Sequence, residues 1–144
     1  MDLEIIRKFR ENLRILEREL DMQNKSCCCC GVTLSQCHLL LELDKTNNIS
    51  LNELSEKLTI DKSSVSKTVE NLVKANLIIR TIPKEDRRVT NLSLTKEGIE
   101  VCKKINTNND EYFNGVLSSI PEEELPAFNK SFEAFVNSMK KANN

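Results

Sequence analysis

Residues 50–94 read SLNELSEKLTIDKSSVSKTVENLVKANLIIRTIPKEDRRVTNLSL, and this stretch decides the fold. Ser50-Leu51-Asn52-Glu53 has the form of a capping box, in which a hydroxyl and a carboxylate three residues apart satisfy each other's backbone N–H groups. It opens a short helix with Leu51, Leu54 and Leu58 on one face. After a break at Thr59-Ile60, Asp61 is a good N-cap for a second helix, whose buried face is Val65, Val69, Leu72 and Val73. Two short helices joined by a tight turn have the dimensions of a helix-turn-helix. Ile78 to Ile82, the polar turn from Pro83 to Arg88 and the run from Val89 to Leu94 then read as a β hairpin with a charged tip.

Outward from this segment the chain reads as helix. Thr33-Leu34-Ser35-Gln36 is a second capping box, opening a helix from Leu34 to about Asp44. Thr95 caps a long helix with Glu97 in its first turn and apolar positions at Ile99, Cys102, Ile105, Tyr112, Val116 and Leu117. The first helix carries Ile6, Phe9, Leu13, Leu16 and Leu20, and the last carries Leu125, Phe128, Phe132, Phe135 and Met139. Both follow a 3-4-3-4 spacing that leaves one narrow apolar seam. Two such seams exceed what one small monomer needs, so they are expected to join the termini across a dimer axis; packing within one chain is the alternative. Pro126 requires the last helix to start near Leu125 or to kink there. Asn106 to Asp110 is the one polar run without periodicity.

The 144 residues suffice for a single domain, expected to span 1–144. With 39% hydrophobic and 30% charged residues, 3 Gly and 3 Pro, the composition excludes a disordered, collagen-like or turn-rich β protein. The fold class expected is mainly α with a small β hairpin: a winged helix-turn-helix lobe over residues 33–98, between dimerisation segments 1–30 and 99–144. No apolar run approaches a membrane span, and the N-terminus, Met1-Asp2-Leu3-Glu4, lacks a basic leader followed by an apolar core, so a cytoplasmic location without membrane contact is expected.

The net charge of −1 hides an asymmetry. From Lys62 to Arg88 there are seven Lys or Arg against Glu70, Glu85 and Asp86, an excess of four positive charges. One basic patch on an otherwise acidic chain is the footprint of a nucleic-acid surface. On the second helix of the pair, the 100° rotation per residue sends Ser63, Ser64, Lys67, Asn71 and Lys74 away from the apolar face. Short hydroxyls let the backbone approach a major groove, Ser and Asn can meet base edges, and Lys pairs with phosphate. An ordinary solvated face is the competing reading. The wing tip, Lys84-Glu85-Asp86-Arg87-Arg88, favours the first, because a narrow, electronegative minor groove attracts guanidinium. Asp86 is expected to pair with one arginine and aim it.

In this order of features the chain resembles the MarR family of winged helix-turn-helix regulators. The resemblance rests on a long first helix, Val32-Thr33-Leu34-Ser35-Gln36, the Leu51-to-Leu77 helix-turn-helix, Asp86-Arg87-Arg88, Leu92-Ser93-Leu94-Thr95 with Glu97-Gly98, and two terminal helices. It implies an obligate homodimer on a pseudo-palindromic operator of double-stranded DNA, usually as a repressor. It further implies that Ser64, Ser66, Lys67 and Asn71 lie at or near the groove, and that Arg88, with Arg87, reaches DNA from the wing.

Six cysteines remain to be explained: Cys27, Cys28, Cys29 and Cys30 in the loop before the second helix, Cys37 inside it, and Cys102 on the fifth helix. His38, the single histidine, stands beside Cys37. In a reducing compartment such a cluster binds metal or senses oxidants more often than it staples a fold. Three readings stand. Cys37 and Cys102 can be small core residues with an incidental loop run. The thiols can bind a soft ion, with His38 completing a zinc site or with Cys30, Cys37 and Cys102 holding trivalent arsenic or antimony. Zinc ligands in some MarR-like regulators come from this loop and these helices, so the resemblance supports the location. Third, the run can be a thiol redox switch, with Lys25 and the helix N-terminus depressing a thiol pKa. A protein–protein adaptor with a structural zinc is the alternative of another class. Catalysis is poorly supported: there is one His, no phosphate-cradling glycine loop and no paired nucleophile and base.

Overall fold

The computed structural model describes residues 1–26 and 30–143. Its elements run α1 (Leu3–Ser26), α2 (Leu34–Thr46), β1 (Ile49–Ser50), α3 (Leu51–Leu58), α4 (Lys62–Lys74), β2 (Ile78–Thr81), β3 (Asn91–Leu94), α5 (Lys96–Leu117) and α6 (Leu125–Ala142). The chain divides into two compact units, Met1–Asn106 and Thr107–Asn144.

The first unit is built on the expected signals. Both capping boxes form: Thr33 and Gln36 close the start of α2, and Ser50 and Glu53 close the start of α3. Asp61 caps α4. The turns between helices depend on left-handed residues, Asn47 after α2, Thr59 between α3 and α4, and Asn76 after α4. Asparagine tolerates that conformation because its short amide can bond locally. The core joins Leu39, Leu40 and Leu43 of α2, Leu54 of α3, Val65, Val69 and Leu72 of α4, the strand residues Ile49, Ile78 and Leu92, and Cys102 and Ile105 of α5. Each fully buried leucine contributes about 1.5–3 kcal/mol of transfer free energy, so α4 is held firmly by its inner face. Leu51, Leu58 and Val73 are only partly buried at the rim of this core.

Two expectations in this unit need adjustment. The hairpin β2–β3 forms, pairing Ile78 with Leu94 and Thr81 with Asn91, but a two-residue strand β1 adds to its far side in the order β1-β3-β2. Two residues carry no readable alternation, so β1 is invisible to periodicity. The return arm also starts at Asn91 rather than Val89, because Val89 N donates to the Asp86 carbonyl and continues the turn.

The second unit holds the C-terminal half of α5 and all of α6. The polar run Asn106 to Asp110 lies inside α5, so its lack of periodicity marks a solvated stretch of helix and not a break. The seam of α6 finds no core within its unit: no residue of α6 is buried, and Phe128, Phe132 and Met139 are 42%, 47% and 45% exposed. Phe128 and Phe132 stack with ring centroids 6.0 Å apart. Pro126 sits in the first turn of α6, where its missing N–H costs nothing. On α1, in the first unit, Phe9 and Leu16 are likewise exposed, while Ile6, Leu13 and Leu20 are half-buried. Ile99, Tyr112 and Val116, expected as apolar positions of α5, are exposed.

Candidate nucleic-acid interface

Helix α4 presents two faces. Val65, Val69 and Leu72 are buried, while Ser63, Ser64, Lys67, Asn71 and Lys74 are exposed and Ser66 is half-buried. The N-terminal end of the outer face is organised by Asp61. Its carboxylate accepts hydrogen bonds from the Ser63 hydroxyl, from the Ser64 hydroxyl at 2.6 Å and from Ser64 N at 2.9 Å. The Ser63 hydroxyl, then the hydroxyl and backbone N–H of Ser64, pull the Asp61 carboxyl down to about 2. A hydroxyl that donates its proton to Asp61 retains only acceptor lone pairs, so Ser63 and Ser64 face outward as acceptors. They suit amino groups on base edges better than phosphates.

At the other end of α4, Lys74 Nζ lies 2.9 Å from Glu70 Oε1, and this contact holds the Glu70 carboxyl below its usual range. The Lys74 charge is therefore partly compensated, whereas Lys67 enters no ion pair among the described residues. The Asn71 backbone carbonyl accepts from Ala75 N within the helix ending, and the residue is exposed.

In the wing, the sequence expectation for Asp86 is corrected. Its carboxylate accepts from Arg88 N at 2.9 Å, an Asx-type turn that shapes the backbone, and pairs with neither guanidinium. Arg87 and Arg88 are exposed. Arg88 borders a notch of about 110 Å³ together with Val89 and Thr90, which lead from the wing tip into β3, Ser50, Leu51 and Asn52 at the start of α3, and Lys62 at the start of α4. Leu51 N donates to the Thr90 carbonyl at 3.0 Å, tying the wing to α3 beside this notch. Sequence reasoning counted Lys62 in the basic patch and expected Arg88 to reach DNA from the wing, but gave no sign that the two meet; Asn52 was read only as part of a capping box, and Thr90 carried no signal.

The cysteine candidates divide. Cys27, Cys28 and Cys29 lie outside the described residues. Cys30 and Cys37 are half-buried and pack against the same core that contains Cys102, while His38 is exposed. Cys102 is 1% exposed, and its thiol donates to the Leu40 carbonyl at 3.5 Å. Burial, then the Asp44 charge and the Cys37 thiol, push the Cys102 thiol up to about 11. That leaves almost no thiolate at neutral pH and makes Cys102 a poor nucleophile. Among the described residues, no three His, Cys, Asp or Glu side chains form a group that could hold a metal ion. Lys25, expected near the thiols, is 2.6 Å from Asp21 one helical turn back.

Comparison with known proteins agrees with this geometry. The model of the MarR family matches residues 32–90. The HTH-type transcriptional repressor MdtR of Bacillus subtilis is 34% identical over 95 residues, a match covering 66% of this chain and 61% of that repressor's length. Among solved structures, a MarR family protein from Bacillus stearothermophilus superposes with a TM-score of 0.84 at 19% identity, covering 97% of this chain and 99% of that one. Streptococcus pneumoniae FabT in complex with DNA gives a TM-score of 0.81 at 18% identity, covering 98% and 99%. At these identities the two structures establish the fold alone.

Proposed function

We propose that the chain is a member of the MarR family, on its match over residues 32–90 and a fold shared along nearly its whole length, and that it is a DNA-binding transcriptional regulator, a homodimeric repressor of a pseudo-palindromic operator. One observation carries the DNA reading: Lys62 and Arg88 border the same notch, so the outer face of α4 and the wing are parts of one basic surface. Ser64, Ser66, Lys67 and Asn71 address the major groove, and the wing arginines Arg87 and Arg88 address the flanking minor groove and backbone. The dimer reading draws on the α6 seam, exposed at Phe128, Phe132 and Met139, and on the α1 seam, exposed at Phe9 and Leu16. A phenylalanine pair left in water forfeits burial that a second copy supplies.

The finer part of the proposal is the input. Operator affinity is set at the cysteine cluster by a soft metal or metalloid, with trivalent arsenic favoured over zinc. The support is that Cys30, Cys37 and Cys102 come from three elements and pack on one core; they are not gathered into a ready site, so binding must draw them together. Three thiols and one As(OH)₃ yield a trithiolate and three waters, which matches a pyramidal soft centre and needs no imidazole. A redox switch through Cys102 is disfavoured by its raised pKa, so an oxidant-sensing reading retreats to Cys37 and the loop. No helix among the described residues is long and apolar enough to cross a membrane.

The test is selection of bound fragments from random duplex DNA, followed by titration at rising salt. With about 6–10 phosphates neutralised by a dimer, affinity should fall by about 10³–10⁵ between 50 and 200 mM salt, and the selected sites should share an inverted repeat. Binding that is indifferent to salt refutes the DNA reading. Arsenite, zinc and peroxide added separately to the complex then identify the input; no response to any of them refutes the sensor.

A further inference from the structure

Lys62 and Arg88 reach the notch from different parts of the chain, the first residue of α4 and the turn at the wing tip, and neither enters an ion pair among the described residues. A cavity bordered by two cations outside any ion pair attracts an anion, and its 110 Å³ is room for nearly four waters at ~30 Å³ each, or one tetrahedral oxyanion group in their place. The donors around it point the same way. Ser50 N donates to Glu53 Oε2, Glu53 N to Ser50 Oγ, and Leu51 N to the Thr90 carbonyl. The remaining first-turn N–H, that of Asn52, has no partner in the described chain and borders the notch, beside its own exposed amide side chain. The acids beside the notch are engaged elsewhere: Glu53 accepts from Ser50 N, Asp61 from Ser63 and Ser64, and Asp86 from Arg88 N.

Resting on the DNA reading above, we propose that this notch is a seat for a single backbone phosphate of the duplex, held jointly by Lys62, Arg88 and Asn52. One seated phosphate fixes the distance between the α3 start and the wing along the DNA backbone, so it sets the register in which α4 enters its groove. The contact is to phosphate and carries no base preference.

A double-mutant cycle on the full-length protein tests this, using Lys62→Met, Arg88→Met and the pair, with binding to a mixed-sequence 40-base-pair duplex read by fluorescence anisotropy. If both cations hold one phosphate, each single variant weakens binding and the double variant loses at least about threefold less than the product of the two. The salt slope should fall by about 0.9 per phosphate lost, or about 1.8 for a dimer. The parent then loses roughly twelvefold more affinity than the double variant between 50 and 200 mM salt. All side chains concerned are exposed, so folding is preserved; Lys103→Met, on α5, serves as the control and should leave the slope unchanged. Strict additivity of the two single losses overturns the shared seat while leaving the DNA reading intact. A parent that binds no duplex overturns both. The amide resonance of Asn52 should shift on adding duplex; an equal shift with millimolar inorganic phosphate, without DNA, overturns the assignment to the duplex in favour of a free anion.

Discussion

Replacing Gly98 by alanine should destabilise the protein, although alanine is the better helix former. Gly98 is buried in the first turn of α5, and a Cβ there lies 2.2 Å from the Leu77 carbonyl oxygen, 3.1 Å from its carbon and 3.3 Å from Leu94 Cδ2. Bringing the first contact out to 3.0 Å requires a backbone retreat of about 0.8 Å. The turn cannot give freely, because the Leu77 carbonyl accepts from Thr95 N at 3.0 Å, and Thr95 Oγ1 donates to the Asn76 carbonyl at 2.7 Å while accepting from Gly98 N at 2.9 Å. Overpacking costs about 1–3 kcal/mol and loss of one of these hydrogen bonds about 1 kcal/mol, against a propensity gain of about 1 kcal/mol. The net loss is about 2 kcal/mol, or roughly 6–8 °C in Tm for a chain of this length. Urea titration at fixed protomer concentration reads it as a lower midpoint with unchanged m-value. Gly115→Ala is the internal control: no atom lies within 4 Å of the added carbon, so it should gain up to about 1 kcal/mol. If Gly98→Ala is as stable as Gly115→Ala, the close approach at Leu77 does not constrain the joint between α4 and α5.

Leu13→Glu or Phe132→Glu should shift sedimentation from dimer to monomer and abolish binding to an inverted repeat, since either puts an unpaired charge in an apolar seam; a dimer unchanged in both returns the seams to the monomer. The Asp61 carboxyl is held down to about 2, so its cap contributes stability above its ordinary value near 3.8 and loses that contribution as the pH falls toward 2. The stability difference between parent and Asp61→Ala should therefore shrink across that window, and a difference constant from pH 5 to pH 2 refutes the ionised cap. The Cys102 thiol, raised to about 11, stabilises the fold below its ordinary value near 9 and loses that advantage as the pH rises toward 11. Cys102→Ala should remove this alkaline dependence, and Cys102→Ser, which keeps a donor for the Leu40 carbonyl, should lose the response to arsenite while retaining DNA binding; an unaltered response makes Cys102 a core residue only.

The legible parts of this molecule are those whose cause is local. Thr33 with Gln36, Ser50 with Glu53, and Asp61 before Ser64 each specify a helix start within four residues, and all three form. Strand β1 depends on Ile49 and Ser50 meeting Leu92 and Asn91 more than forty residues away, a pairing that leaves no pattern in a two-residue segment. The same division runs through the site. The outward face of α4 follows from a 100° rotation, but the role of Asp86 as a backbone acceptor, and the convergence of Lys62 and Arg88 on one notch, arise only when wing and α3 are tied together by Leu51 and Thr90.

The cysteines show the limit from the other side. Spacing offered one set of thiols for metal, oxidant or core, because thiol chemistry depends on burial and charge more than on order along the chain. Burial separates Cys102 from the rest: a thiol 1% exposed, bonded to the Leu40 carbonyl and raised to about 11, is stable as a neutral group. A soft centre that recruits it must displace a proton and break the Leu40 contact. Both costs fall on the junction between α2 and α5, only four residues along α5 from the Gly98 contact with the turn that ends α4. An ion that binds these thiols therefore acts close to the joint between α4 and α5, and under the proposed function its effect on DNA affinity is bounded by how differently the two states bind it.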